Sequence, residues 1–174
     1  MESKCILSPR CIFFGTVILG AAASLSHFVY PLSGENFIIG LFNPINESVW
    51  EHLKFMFFPF LLCWIAFYAL KKPQCSPPYA VITAAAASLI AAPLTVILLF
   101  YAYTGALGIE SVTIDVALVF ICYFIALRLA AHLLRYSAPG KWTAIAAVVC
   151  IAVIFVAFII FTHRPPQLPI FISK

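Results

Sequence analysis

The residues best suited to chemistry lie in one short stretch, residues 46–54, with the sequence NESVWEHLK. This stretch holds two carboxylates, Glu47 and Glu51, together with the imidazole of His52 and the amine of Lys54. Carboxylates and imidazoles exchange protons in acid–base catalysis, and both bind divalent metal ions. Because an apolar run follows directly, the stretch should open a helix that enters a membrane. Ionisable groups are costly there and usually face the bundle interior.

Helical geometry sorts these side chains into two directions. At 100° per residue, Glu47, Glu51 and Lys54 share one stripe, whereas His52 points about 100° away from Glu51. Glu51 and Lys54, at i and i+3, can therefore form an ion pair that lowers the cost of burial without any catalysis. Asn43 followed by a proline, or Asn46, would cap the helix.

Three interpretations of the cluster stay open. The first is a structural polar network. The second is a proton or substrate site, in which a glutamate and a histidine act as proton acceptor and donor. The third is a divalent metal site, in which Glu47 and Glu51 combine with His27 or His163 from neighbouring helices. The spacing E-x-x-x-E-H is not a specific metal signature, and Lys54 would repel a cation.

The composition requires a membrane environment for these residues. The chain is 64% hydrophobic and 9% charged over 174 residues, whereas soluble domains are about a quarter charged. A spanning helix needs roughly 20 apolar residues, which leaves room for about five spans. The net charge of +4 suggests helix orientation rather than a nucleic-acid partner. The six cysteines show neither a C-x-x-C pair nor a zinc-type spacing.

The apolar runs predict an all-α fold, a polytopic transmembrane helix bundle that forms a single membrane domain over residues 1–174. Each run is bounded by glycine, proline or charge. The predicted spans are residues 11–30, 47–70, 79–103, 112–134 and 142–162. Segment 34–45 is apolar but too short to span, so it should be interfacial or re-entrant. The proline-rich residues 163–174 predict an extended outer tail.

The distribution of lysine and arginine predicts a cytoplasmic N-terminus. Alternate loops on one side carry Lys4, Arg10, Lys71, Lys72, Arg135 and Lys141. The other side carries only Arg164 and Lys174 of the tail, so it should face outward. With this topology, polar residues collect at or near the outer face, namely Glu35, Glu47, Glu51, His52, Glu110, Asp115, His27 and His163. We therefore expect a functional cavity that opens outward.

Two further features lie at opposite ends of the bundle. Arg128, His132 and Arg135 recur at i, i+4 and i+7, and this stripe could bind an anionic lipid headgroup. Simple snorkelling is the alternative for Arg128. At the outer end, the apolar residues of the tail could fold back over the bundle mouth and cover the carboxylates, or the tail could be a surface segment with no role.

Two segments, NESVWEHLK at residues 46–54 and HRPPQLPIF at residues 163–171, resemble a family of small prokaryotic multi-pass membrane proteins of unknown function. The resemblance extends over most of the chain. It implies a compact helical membrane protein of a bacterial or archaeal cell. We expect the bundle to lie in the cytoplasmic membrane of that cell. It supplies no catalytic residues.

These observations favour a membrane-embedded enzyme acting on a lipid or a small amphipathic substrate. Glu51 would be the general acid or base, His27 or His163 its partner, and Lys54 would stabilise negative charge. A small transporter is the first alternative, with Glu51 and Asp115 binding a proton or cation. A scaffold or assembly factor without chemistry is the second. Membrane lipids are the expected partners, and a homo-oligomer could complete a transport path.

Overall fold

A computed structural model describes residues 7–71, without the side chain of Lys71, and residues 77–173. Several residues discussed above therefore lie outside the described part, among them Lys4, Cys5, Lys72, Cys75 and Lys174. The described residues form seven α-helices, a short 3₁₀ helix and no strand, which confirms the predicted all-α fold. The helices are α1 (Pro9–Ser26), α2 (Val29–Leu32), α3 (Phe37–Phe42), α4 (Val49–Lys71), α5 (Pro78–Leu107), α6 (Val112–Tyr136), α7 (Lys141–His163) and the 3₁₀ helix (Pro169–Phe171).

Five of these helices, α1, α4, α5, α6 and α7, are long and apolar enough to cross a membrane. The protein is therefore a multi-pass membrane protein, as its composition predicts. The remaining helices, α2 and α3, have 4 and 6 residues. Both lengths are far below the roughly 20 residues that a span requires. They connect the end of α1 to the start of α4.

Small residues let the long helices approach closely. Gly20 of α1 is buried, and a β-carbon added there would overlap the ring of Phe120 on α6. The buried face of α5 likewise carries several alanines, including Ala84 and Ala92, which are fully buried. Close packing of small residues is the usual way in which helices associate within a bilayer.

A proline inside α4 is compensated by a residue of α6. Pro59 has no amide proton, so the carbonyl of Phe55, four residues earlier, loses its helical partner. The hydroxyl of Tyr123 donates a hydrogen bond of 2.7 Å to this carbonyl oxygen. Tyr123 is 0% exposed, so the bond lies in the bundle core. The arrangement satisfies a buried carbonyl that the proline would otherwise leave unpaired.

Candidate functional site

The start of α4 determines where the polar side chains point. Ser48 lies just before the helix, and its Oγ accepts a hydrogen bond from the amide of Glu51 at 3.3 Å. Asn46 Oδ1 accepts one from the amide of Ser48 at 2.9 Å. Ser48 is therefore the N-cap, five residues after Asn43 and two residues after Asn46, the two caps that the sequence suggests. Asn43 instead ends α3.

This late start separates the two carboxylates. Glu47 precedes α4, so it does not continue the helical stripe of Glu51 and Lys54. The Glu47 side chain is 62% exposed and lies beside two imidazoles, whereas Glu51 is 2% exposed. The cluster predicted from the sequence is thus two separate groups.

The first group is a buried ion pair. Lys54 Nζ lies 2.7 Å from Glu51 Oε2, and Lys54 is 0% exposed. The same ammonium donates hydrogen bonds to the carbonyl oxygens of Gly40 at 2.8 Å and Asn43 at 3.3 Å. All three protons of the ammonium therefore have acceptors. One of these acceptors belongs to Gly40 of α3, and another belongs to Asn43, the residue that caps the C-terminal end of α3.

The carboxylate of Glu51 is also engaged on both oxygens. Oε2 accepts a hydrogen bond from the amide of Ile45 at 3.1 Å, and Oε1 lies 3.2 Å from the hydroxyl of Thr162 on α7. The Thr162 hydroxyl lies closer, at 2.7 Å, to the carbonyl oxygen of Phe158. Because a hydroxyl has one proton, the bond to Phe158 competes with the bond to Glu51. The ion pair thus joins α3, α4 and α7.

The second group consists of His27, Glu47 and His52. His27 Nε2 lies 3.6 Å from Glu47 Oε1, and His52 Nε2 lies 3.4 Å from Glu47 Oε2. One ligand atom from each residue can be chosen so that all three lie within 4.8 Å of one another. The two imidazole rings are stacked with centroids 5.7 Å apart. Both histidines are about one-third exposed, at 39% and 32% for their side chains, so water reaches the group.

The orientation of the His52 ring is set by the backbone. His52 Nδ1 lies 2.8 Å from the carbonyl oxygen of Ser48, one turn earlier on the chain. A carbonyl oxygen can only accept, so Nδ1 carries the proton. In the neutral ring the lone pair is then on Nε2, the nitrogen nearest Glu47.

A cleft of about 190 Å³ opens beside this second group. His27 and Glu47 contribute to its wall, and the other lining residues are Phe28, Tyr30, Pro31, Pro44, Ile45 and Asn46. They come from the end of α1, from α2 and from the loop before α4. A bound molecule in this cleft would therefore meet the imidazole of His27 and the carboxylate of Glu47, whereas His52, Glu51 and Lys54 do not line it.

The other predicted site residues lie apart from this cleft. The ring of His163 stacks on Phe37 of α3 with centroids 4.8 Å apart. Asp115 accepts a hydrogen bond of 2.6 Å from the hydroxyl of Tyr103, between α6 and α5. The predicted lipid-binding stripe is exposed along α6, where the rings of His132 and Tyr136 have centroids 4.8 Å apart. Its members are Arg128, His132 and Arg135.

The C-terminal tail folds back onto the start of α4. Phe171 of the 3₁₀ helix packs on Trp50 with ring centroids 4.9 Å apart, and Trp50 also contacts Phe158 and Phe161 of α7. The Trp50 Nε1 is buried and has no hydrogen-bond partner among the described residues. The tail thus covers the side of α4 next to Glu51, and its described residues do not line the cleft.

Sequence reasoning missed three contributors to these groups. The sequence S-x-x-E at residues 48–51 is the pattern of a capping box and could have indicated Ser48 as the cap. Thr162 and the carbonyl of Gly40 carry no such signal. Their contacts with the ion pair depend on how α7 and α3 pack against α4.

Comparison with known proteins identifies a family but no function. A family model described as a family of unknown function (DUF6512) matches residues 1–174. No curated protein and no solved structure matches the chain.

Proposed function

We propose that this chain, which belongs to the family of unknown function DUF6512, is a membrane-embedded enzyme that uses His27, Glu47 and His52 on a lipid or small amphipathic substrate. The observation that supports this most is the convergence of two imidazoles and a carboxylate beside an open cleft. Titratable side chains that converge beside a cleft are typical of catalytic sites.

The reaction class that these groups serve directly is hydrolysis of an ester. In this proposal, the lone pair of His27 Nε2 accepts a proton from water in the cleft, and the water oxygen adds to the ester carbonyl carbon. The bond from that carbon to the leaving oxygen then breaks, and the imidazolium returns its proton to the leaving alkoxide. Glu47, whose Oε1 lies 3.6 Å from His27 Nε2, would stabilise the imidazolium between these two steps, and His52 Nε2 lies 3.4 Å from the other oxygen of that carboxylate.

The role assigned to Glu51 changes accordingly. Its carboxylate is 2% exposed and engaged with the ammonium of Lys54, so it has no free path to a substrate in the cleft. We infer a structural role for this pair, in which it fixes α3 and the loop that carries Glu47. Acid–base chemistry then rests on the exposed group rather than on Glu51.

We infer the orientation and the location of the protein from its charge distribution. The positive-inside rule favours a cytoplasmic N-terminus, with the cleft at the outer face of a prokaryotic cytoplasmic membrane. Labelling of intact cells with a membrane-impermeant thiol reagent tests this, with Arg164→Cys and Lys141→Cys placed in a cysteine-free background. Only the cysteine at position 164 should react, and labelling of position 141 alone would reverse the orientation.

Transport is supported less well. The buried polar residues among those described are Thr16, Ser48, Glu51, Lys54, Ser88 and Thr162, and the side chain of each takes part in a hydrogen bond. A proton or cation path needs polar groups that can change partners. The saturated ion pair fits a scaffold better than a transporter, and it is compatible with an enzyme whose site lies elsewhere.

The enzyme proposal is tested with purified protein in vesicles of phosphatidylglycerol and phosphatidylethanolamine. Mass spectrometry follows the release of fatty acids, lysolipids and headgroups over time. The wild-type protein should form product, and His27→Gln or Glu47→Gln should slow product formation by about 10²-fold or more, since acid–base groups contribute on this order.

The matched control is His163→Gln, which removes an exposed histidine outside the cluster and should leave the rate unchanged. Each variant must first show the same thermal unfolding midpoint as the wild type. Absence of any product from these lipids, or equal rates for the His27 and His163 variants, would refute the proposed lipid hydrolysis at this site.

A further inference from the structure

The donor atoms of His27, Glu47 and His52 are spaced more like ligands of one metal ion than like partners in hydrogen bonds. Hydrogen bonds from N–H to oxygen are about 2.7–3.2 Å long. The two imidazole nitrogens lie 3.6 and 3.4 Å from the Glu47 oxygens, which exceeds that range. Ligands at about 2.0–2.1 Å from a tetrahedral zinc ion are about 3.3–3.4 Å apart.

The ring nitrogens that face Glu47 agree with this spacing. The Nε2 atom is the nitrogen that lies nearest Glu47 in both His27 and His52. The other nitrogen of His52, Nδ1, is hydrogen-bonded to the Ser48 carbonyl oxygen at 2.8 Å. Metal-binding histidines almost always engage their second nitrogen in this way, because it fixes the ring and the tautomer.

We propose that His27, Glu47 and His52 bind one divalent ion of the zinc class through the two Nε2 atoms and the Glu47 carboxylate. This inference deepens the proposed function and concerns the same site. Two histidines and one glutamate, with a further position open to water, form a recurrent ligand set of catalytic zinc. The cleft beside His27 and Glu47 leaves room for that further position.

The charge around the site permits a cation. The nearest lysine along α4, Lys54, directs its ammonium to Glu51 and to the Gly40 and Asn43 carbonyl oxygens. Its charge is therefore neutralised by a carboxylate outside the cluster. This differs from the sequence-based metal set, because Glu51 and His163 lie elsewhere and His52 takes their place.

A bound ion would change which group activates water. The two Nε2 lone pairs would be occupied, so His27 could not accept a proton there. The ion would instead lower the pKa of a water molecule that it binds, as catalytic zinc does. Metal binding and hydrolysis can therefore be measured separately.

The test uses the full chain in detergent, treated with EDTA and then freed of chelator. Zinc chloride is titrated in a calorimeter, and the metal content after desalting is measured by elemental analysis. We expect one ion per chain. His52→Gln and Glu47→Gln should each weaken binding by about 100-fold or more, since even the loss of an outer-shell partner costs 10–100-fold.

The matched controls are His163→Gln and His132→Gln, which remove exposed histidines outside the cluster and should bind zinc like the wild type. His27→Gln provides a third variant in case one of the first two fails to fold. Replacing zinc by cobalt should give the visible absorption spectrum of a four-coordinate ion, and this spectrum should be lost in the cluster variants.

Two results would overturn the inference. One is the absence of zinc binding, and the other is binding that survives in all three cluster variants, as expected for adventitious binding at exposed thiols such as Cys11 or Cys150. Lipid hydrolysis that persists in EDTA would refute a metal-dependent reaction while leaving the imidazole mechanism intact. Zinc binding without hydrolysis would support the metal site and refute the proposed enzyme.

Discussion

Removing the ammonium of Lys54 should destabilise the whole bundle. Lys54→Met keeps a long apolar side chain and deletes the charge. It leaves the Glu51 carboxylate buried without a cation and takes a donor from the carbonyl oxygens of Gly40 and Asn43. Breaking one partner of a buried ion pair costs about 3–5 kcal/mol, and the two carbonyls put this variant toward the upper end.

The double variant should be less damaged than the two single variants suggest. Glu51→Gln alone leaves a buried ammonium, but the amide oxygen and two carbonyl oxygens still accept from it, so we expect a cost of about 1–3 kcal/mol. In Glu51→Gln, Lys54→Met no charge is buried. The costs should therefore fail to add by about 2 kcal/mol, as expected for residues in direct contact.

Unfolding by SDS in mixed micelles, followed by tryptophan fluorescence, gives the free energy of unfolding. Trp64 is a suitable reporter because it is 6% exposed and its indole donates to Ser88. Costs that add to within about 0.5 kcal/mol would refute the coupling that we derive from the 2.7 Å contact. A Lys54→Met variant as stable as the wild type would refute the stabilising role of the ion pair between Glu51 and Lys54.

Two further predictions concern helix packing and use the same unfolding assay. Tyr123→Phe should lower the free energy of unfolding by about 1–3 kcal/mol, because the Phe55 carbonyl loses its donor. The loss of stability should be smaller in a Pro59→Ala background, which restores the helical amide. Equal losses in both backgrounds would contradict this account. Gly20→Ala should lower the free energy of unfolding by about 1–3 kcal/mol, because the added β-carbon overlaps a ring of α6. In Gly15→Ala the added β-carbon meets only the end of a leucine side chain at 3.2 Å, so this variant should be nearly as stable as the wild type. Equal effects of the two substitutions would argue against the close approach of α1 and α6.

The long helices could be predicted from the sequence because hydrocarbon imposes one simple rule. A span must be about 20 residues long and largely apolar. Composition alone therefore indicates α7, whose most apolar 18 residues have a mean hydropathy of 3.3. The pairing of Glu51 with Lys54 was also predictable, since both lie on one helix at i and i+3. These features depend on local sequence.

The candidate site depended on contacts that local sequence does not specify. Glu47 lies outside the helical stripe of Glu51 and Lys54 because Ser48, rather than an earlier asparagine, caps α4. His27 joins Glu47 through the packing of α1 against α4, and His163 is held away by its stacking on Phe37. Helical periodicity specifies which side chains share a face of one helix. It does not specify which residues of a second helix lie opposite that face.

The unequal lengths of the helices bear on how lipids reach the cleft. With 18 residues, α1 rises about 27 Å, whereas α5 has 30 residues and rises about 45 Å. The hydrocarbon layer is about 30 Å thick, so α5 must tilt or project beyond it, and α1 falls slightly short. Such hydrophobic mismatch thins the bilayer next to the shorter helix. Because the cleft lies at the end of α1, the ester and headgroup region of neighbouring lipids would be drawn toward the level of His27.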